Sequence, residues 1–272
     1  MAGGPCPPCR RVNDKSTTER ITWVHRWSPG LISFRLSRSA DYRFAAGQFA
    51  RLGLNLPDPA APDGMKRVSR AYSMVSSPED DFLEFYLIVI PGGEFSSRID
   101  SMAVGDEVEV ERSPYGFLTV DRFPGGRDLW LLATGTGLSP YLSIARDPLT
   151  WSQWDRIVIV HSVRTAAELA YAEQIAEIGR DPRFGAAPGK SLRYVPVVTR
   201  EPGPWLAQRI PQAIESGALE SAAACRLDPE LSRVMICGNP EMVKTTRATL
   251  AGRGFKSPRR GNPGNLVVEN YW

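Results

Sequence analysis

The chain has 272 residues, with 33 Lys and Arg against 30 Asp and Glu and a formal net charge of +3. That near balance excludes a polybasic nucleic-acid coat and an acidic tail protein, while 42% hydrophobic and 23% charged residues make an ordinary globular mixture. The length suits one large domain or two of moderate size, and no run approaches the roughly 18 apolar residues a membrane-spanning helix needs. Residues 1–16 are Pro/Gly-rich, lack the apolar stretch of a secretory signal, and read as a disordered leader on a cytoplasmic protein. Cys6-Pro-Pro-Cys9 has neither a second CxxC nor a His pair to complete a zinc site, and His25 and His161 are far apart, so no metal is expected.

From 17 to 124 the chain shows short β-rich runs, Leu31–Leu36, Gln48–Leu54, Arg70–Val75, Leu83–Ile90 and Glu107–Glu111, separated by Gly, Pro and Asp turns. Regular short strands of this kind predict a small antiparallel β-barrel or sandwich. The Pro/Ala/Asp-rich loop from Pro57 to Met65 is expected to be exposed. After Phe123-Pro-Gly-Gly126 the pattern changes. Apolar runs Leu129–Ala133, Ile157–His161, Tyr194–Thr199 and Val234–Cys237 alternate with helical stretches such as Ala166–Gly179 and Pro240–Gly252. Strands apolar on both faces and interleaved with helices predict a doubly wound α/β domain on a parallel sheet, over residues 125–272.

The strand Leu129–Ala133 runs into Thr134-Gly135-Thr136-Gly137-Leu138-Ser139-Pro140 and then a helical stretch. This order aims backbone N–H groups at a phosphate, and glycines let a pyrophosphate approach the backbone. The loop lacks the third Gly of a dinucleotide fingerprint and the Lys of a P-loop, so a tight turn built for geometry alone stays open on this motif. Three arginines, Arg164, Arg200 and Arg209, follow candidate strands, at the edge where parallel sheets bind ligands. Arginine there suits the extra phosphate of NADP, whereas an NAD site usually carries an acid.

Five motifs occur in register: Arg70-Ala71-Tyr72-Ser73, Gly93-Glu94-Phe95-Ser96, Thr134-Gly135-Thr136-Gly137, Cys237-Gly238-Asn239-Pro240, and the aromatic end Glu269-Asn270-Tyr271-Trp272. With them, the sequence from about residue 17 onward resembles the ferredoxin/flavodoxin–NADP reductase family, closest to its bacterial, enterobacterial-type branch. The resemblance implies FAD on the barrel domain, held by Arg70, Ala71, Tyr72 and Ser73, by Gly93, Phe95 and Ser96, and by Gly116. It implies NADP(H) on the α/β domain, held by Thr136, Gly137, Arg164, Arg200, Arg209, Gly238 and Asn239. Ser73, Cys237, Glu269 and Tyr271 would flank the reacting atoms, with Cys237 in a positioning role. Tyr271 would cover one face of the flavin ring and Trp272 would reach toward the adenine. The implied activity exchanges hydride with NADP(H) and single electrons with ferredoxin or flavodoxin, by a monomer without nucleic-acid or membrane partners. Such carriers are commonly acidic, and Arg253, Lys256, Arg259 and Arg260 form a basic run that would steer them. An NADH-dependent reductase module of an oxygenase shares the architecture but lacks the three arginines, and a non-catalytic redox sensor would use the same pockets.

Overall fold

The computed structural model describes residues 15–62, 64–261 and 263–271. Cys6 and Cys9 of the expected leader, and Trp272 with its adenine assignment, lie outside the described residues. Six strands and a helix come first: β1 (Ser16–Ser28), β2 (Leu31–Ser37), β3 (Phe49–Pro57), β4 (Met65–Ser73), β5 (Phe82–Ile88), α1 (Glu94–Asp100) and β6 (Glu107–Glu111). They form one antiparallel sheet of order β4-β3-β6-β1-β2-β5. Its edges meet at a Met74–Phe85 bridge, where the Val75 N–H donates to Glu84 O at 2.8 Å, so the sheet curls into a barrel. Alternation fills the interior with Ile32, Phe34, Leu36, Leu52, Phe85 and Val110, and α1 seals it with Phe95 and Ile99.

The longest strand, β1, is the one no apolar run predicted. Its thirteen residues are broken by two register shifts, and Trp23, His25 and Trp27 form a row along it, Trp23 stacked on His25 at 5.6 Å and His25 edge-on to Trp27 at 4.4 Å between centroids. Bulges and polar outward positions erase the simple alternation that identifies a strand.

The second half comprises β7 (Asp128–Thr134), α2 (Ser139–Ala145), α3 (Pro148–Gln153), β8 (Arg156–Val163), α4 (Ala172–Arg180), β9 (Ser191–Val198), α5 (Ile210–Glu215), α6 (Ala218–Ala223), β10 (Ser232–Gly238), α7 (Pro240–Gly252) and β11 (Leu266–Asn270). The sheet is wholly parallel, of order β11-β10-β7-β8-β9. Leu129 and Leu131 pack with Tyr141, Trp151 and Ile175 of α2, α3 and α4 on one face, while Trp130 and Leu132 pack with Ile214, Leu219 and Val243 of α5, α6 and α7 on the other. Burial on both faces is why these strands read as continuous apolar runs.

The helix expected over Ala166–Gly179 is interrupted. A 3-10 turn covers Ala166–Glu168, Tyr171 sits in the left-handed region at φ +63°, and α4 begins only at Ala172. The cause is tertiary: the buried Tyr171 hydroxyl lies 2.5 Å from Ser33 Oγ and donates to Glu84 Oε1 at 2.7 Å, both on the barrel. The two halves also share one apolar cluster, in which Ala46, Val75, Tyr86 and Leu118 meet Leu138, Tyr141 and Ile144.

Candidate active site

The strand order dictates where a ligand can enter. From β7 the chain moves outward to β8 and β9, then crosses to the other side for β10 and β11, so the loops after β7 and β10 diverge to opposite faces. That divergence is a topological switch point, and its crevice opens at the carboxyl ends of the strands. On one side β7 runs into a 3-10 turn, Gly135–Leu138, and α2; on the other β10 ends at Gly238 and Asn239 opens α7. Two of these glycines are sterically required. A Cβ on Gly137 would stand 2.5 Å from Cys237 O, and one on Gly238, at φ +132°, would stand 2.2 Å from Thr134 Oγ1. Gly135, at φ +51°, faces open space where a Cβ would point. Thr134 Oγ1 accepts from the Asn239 N–H at 2.8 Å, tying the two loops together. The Asn239 side-chain oxygen caps α7 by accepting from the N–H groups of Glu241 and Met242, so this expected cofactor contact also has a structural duty.

Ser73, Cys237, Glu269 and Tyr271, 198 positions apart at the extremes of number, converge at this crevice. Cys237 and Glu269 are side-by-side partners in the β10–β11 register, and the Tyr271 N–H donates to Gly238 O at 3.0 Å. The Tyr271 phenol reaches the Ser73 hydroxyl at the end of β4 and the Cys237 thiol. Gly116, at φ +104°, closes the barrel side: a Cβ there would lie 3.0 Å from the Phe49 ring and 3.5 Å from Glu269 Oε2. Burial pushes the Cys237 thiol and the Tyr271 phenol well above their ordinary values and lifts the Glu269 carboxyl to about 7. Ser73 Oγ is buried and finds no well-formed hydrogen bond within the described protein. A buried hydroxyl without a good partner at a seam between domains is the mark of a site completed by something else.

The remaining barrel residues lie on β4 and α1. Arg70 and Ala71 are exposed, and the Arg70 guanidinium donates to the Ser69 carbonyl, whereas the neighbouring Arg67 and Arg51 are paired with Glu109 and Glu111. Tyr72 packs on Phe95 with centroids 5.4 Å apart, and burial pushes its hydroxyl up to about 12. Gly93 is the N-cap of α1, and Ser96 Oγ accepts from the Ile90 N–H at 3.0 Å, holding the turn that leads into it.

On the α/β side, Arg164 and Arg200 are brought together at the ends of β8 and β9 by the Arg200 N–H donating to Arg164 O at 2.9 Å. The Arg164 guanidinium is forked on Glu168, with Nη2 to Oε1 at 2.6 Å. Arg209 is the exposed N-cap of α5, three residues beyond Leu206, which rejoins the edge of β9.

Comparison with known proteins accounts for both halves. Residues 26–119 match an oxidoreductase FAD-binding domain and residues 131–248 an oxidoreductase NAD-binding domain. The ferredoxin–NADP reductase A of Sorangium cellulosum is 40% identical over 255 residues, 93% of this chain and 89% of that one. The flavodoxin/ferredoxin–NADP reductase of Escherichia coli is 40% identical over 257 residues, 94% of this chain and 98% of that one. The crystal structure of a ferredoxin NADP+ reductase from Neisseria gonorrhoeae with bound FAD and NADP superimposes with a TM-score of 0.86 at 38% identity, covering 96% of this chain and all of that one. The chain belongs to the ferredoxin/flavodoxin–NADP reductase family.

Within this ferredoxin/flavodoxin–NADP reductase chain, one sequence expectation is displaced. Of the run Arg253, Lys256, Arg259 and Arg260, expected to steer a carrier, Arg253 and Lys256 lie toward the end of the parallel sheet opposite the crevice. Lys256 O accepts from the Asn265 and Leu266 N–H groups at the start of β11, five residues and so about 17 Å of strand from Tyr271. Arg253 is already paired with Glu220 at 2.8 Å. Sequence reading also passed over Thr134, which binds Asn239, and Glu168, which forks Arg164. The first gives no pattern, being a contact across 105 positions; the second leaves a readable trace, an acid four residues after an arginine. No described helix is long and apolar enough to cross a membrane.

Proposed function

We propose that the chain is an FAD-dependent oxidoreductase, a ferredoxin/flavodoxin–NADP+ reductase, that exchanges hydride with NADP(H) and single electrons with ferredoxin or flavodoxin. The observation that carries this reading is the convergence of Ser73 from the barrel with Cys237, Glu269 and Tyr271 from the wound sheet at the switch-point crevice. The residues present suit both cofactors. The buried Ser73 hydroxyl, without a well-formed hydrogen bond within the described protein, offers one to a polar ring edge, and the open face of Gly135 leaves room for a phosphate. FAD would be held by Arg70, Ala71, Tyr72 and Ser73, by Gly93, Phe95 and Ser96, by Gly116 and by Tyr271. NADP(H) would be held by Thr136, Gly137, Gly238 and Asn239, with Arg164, Arg200 and Arg209 meeting the adenosine phosphates.

FAD and NADP(H) supply the hydride and one-electron chemistry when bound; the chain positions them and controls protons. Cys237 stays a thiol, because burial disfavours its thiolate, and so serves as a packing wall and not as a nucleophile. Glu269, poised near neutrality, can hold or release a proton at its carboxyl beside Gly116. The Tyr271 ring closes the seam against water, and its hydroxyl orients the Ser73 hydroxyl. Arg164, fixed by Glu168, presents a pre-organised charge where an NAD-selective site would carry an acid.

An absorption spectrum of purified protein, taken before and after anaerobic NADPH titration, tests the reading. The expected result is a flavin spectrum that bleaches with NADPH and recovers when ferricyanide is added. A colourless protein, or a flavin that NADPH leaves oxidised, overturns it.

A further inference from the structure

The mechanism above leaves His161 without a task, although the side chain is completely buried in β8, beneath the loop that follows β7. Its Nε2 lies 3.1 Å from Gly135 O and its Nδ1 lies 3.3 Å from the Tyr194 hydroxyl. The Gly135 carbonyl can only accept, so Nε2 carries the ring proton; Nδ1 is then an acceptor and the Tyr194 hydroxyl its donor. Burial holds the imidazole pKa down to about 4, so the ring stays neutral at working pH and keeps that one tautomer.

We propose that His161 is the positioning residue of the nicotinamide-nucleotide loop: its ring, anchored by Tyr194, holds the Gly135 carbonyl toward the sheet and thereby aims the Thr136 N–H into the crevice. The step from carbonyl to N–H is set by peptide geometry. In a planar trans peptide the C=O and the following N–H point in opposite directions, and the chain contains no cis bond among its described residues. Gly135, at φ +51° with nothing within 4 Å of a notional Cβ, has no side-chain packing to hold that peptide plane, which opens the 3-10 turn Gly135–Leu138. A second anchor lies on the other flank, where Thr134 Oγ1 accepts from the Asn239 N–H. Residues 135 and 136 are thus clamped from β8 on one side and from the end of β10 on the other, across the width of the switch point.

This inference rests on the reading that the loop takes NADP(H), and its test separates the two. In FAD-loaded protein, flavin difference spectra would be titrated with NADP+ and with 2′,5′-ADP, which carries the 2′-phosphate end but no nicotinamide half. His161→Leu keeps the volume but removes the donor; His161→Gln restores an N–H near the Nε2 position. We expect His161→Leu to weaken NADP+ about tenfold, the loss of one well-placed buried hydrogen bond, to raise KM for NADPH alike, and to leave 2′,5′-ADP within about twofold. His161→Gln should recover most of the NADP+ affinity. Unchanged NADP+ binding in His161→Leu, or equal weakening of both probes, overturns the proposal. Should His161→Leu fail to retain FAD, Tyr194→Phe decides instead: the expected result is about threefold weaker NADP+ with unchanged 2′,5′-ADP, and no change in either overturns the proposal. A wild-type protein that binds neither probe would overturn the nicotinamide reading itself.

Discussion

Arg164 shows how little a charged residue's meaning depends on its charge alone. Alone, it would be one solvated guanidinium among many; though exposed, it is forked on Glu168 and tied through its carbonyl to Arg200, which holds the cation at a strand end. Arg164→Ala should lower kcat/KM for NADPH about tenfold, as expected for losing a charge-assisted contact of about 1.5–3 kcal/mol, while NADH turnover stays within about twofold. Steady-state kinetics with both nucleotides check this, and equal losses would place Arg164 outside the phosphate site. Glu269 gives a pH signature. Its folded pKa, about 7, is raised above the ordinary 4.5, so the folded state binds the proton more tightly than the unfolded chain. The stability it contributes is complete below pH 4.5, declines as pH rises toward 7, and is flat beyond. Melting profiles of wild type and Glu269→Gln should therefore diverge across that window, by on the order of 1–2 kcal/mol once partial exposure is discounted; parallel profiles would refute the assignment. That Ser73, Cys237 and Tyr271 come together was legible in the sequence, because each stands in a motif that names it. His161 and Thr134 were not, because each contacts a backbone group, the Gly135 carbonyl and the Asn239 N–H, and a backbone partner leaves no letter in the sequence.

Between strand and helix, the tightest constraint is Gly137. A methyl group there meets the Cys237 carbonyl at 2.5 Å, so Gly137→Ala should push the turn after β7 away from β10, costing about 1–3 kcal/mol and weakening NADP+ more than FAD. Thermal melts and flavin content measured together would show it; an unaltered Tm would mean the two loops can part freely. The parallel strands were readable because both faces are buried, which makes the middles of β7 and β8 the continuous apolar runs Leu129–Ala133 and Ile157–Val160. Strand β1 was not, because its outward Trp23, His25 and Trp27 and its two register shifts blur the alternation. The broken helix before α4 was hidden for a different reason. Local propensity over 166–179 favours a helix, and only the reach of Tyr171 to the barrel breaks it.

Across the whole molecule, Tyr171 is a polar rivet between the two sheets. Its hydroxyl meets Ser33, 138 positions away, and Glu84, itself held by Arg35 at 2.9 Å, with Trp27 donating to Ser33 Oγ at 2.8 Å. Tyr171→Phe removes that hydroxyl and leaves Ser33 and Glu84 short of a buried partner, a loss of about 1–3 kcal/mol. Calorimetry should show a lower Tm still in one transition, because the shared apolar cluster remains; two separated transitions would show that the rivet alone couples the halves. No sequence window could reveal such a contact, and that is why the architecture was legible while its joint was not. The sealed state of Cys237 has a further consequence. An enzyme that handles single electrons in air works beside oxygen, and peroxide is the hazard of that trade. A thiol fully enclosed and denied its anionic form is a poor target for oxidation or alkylation, so the chain keeps sulfur at the heart of its crevice without exposing it to its own by-products.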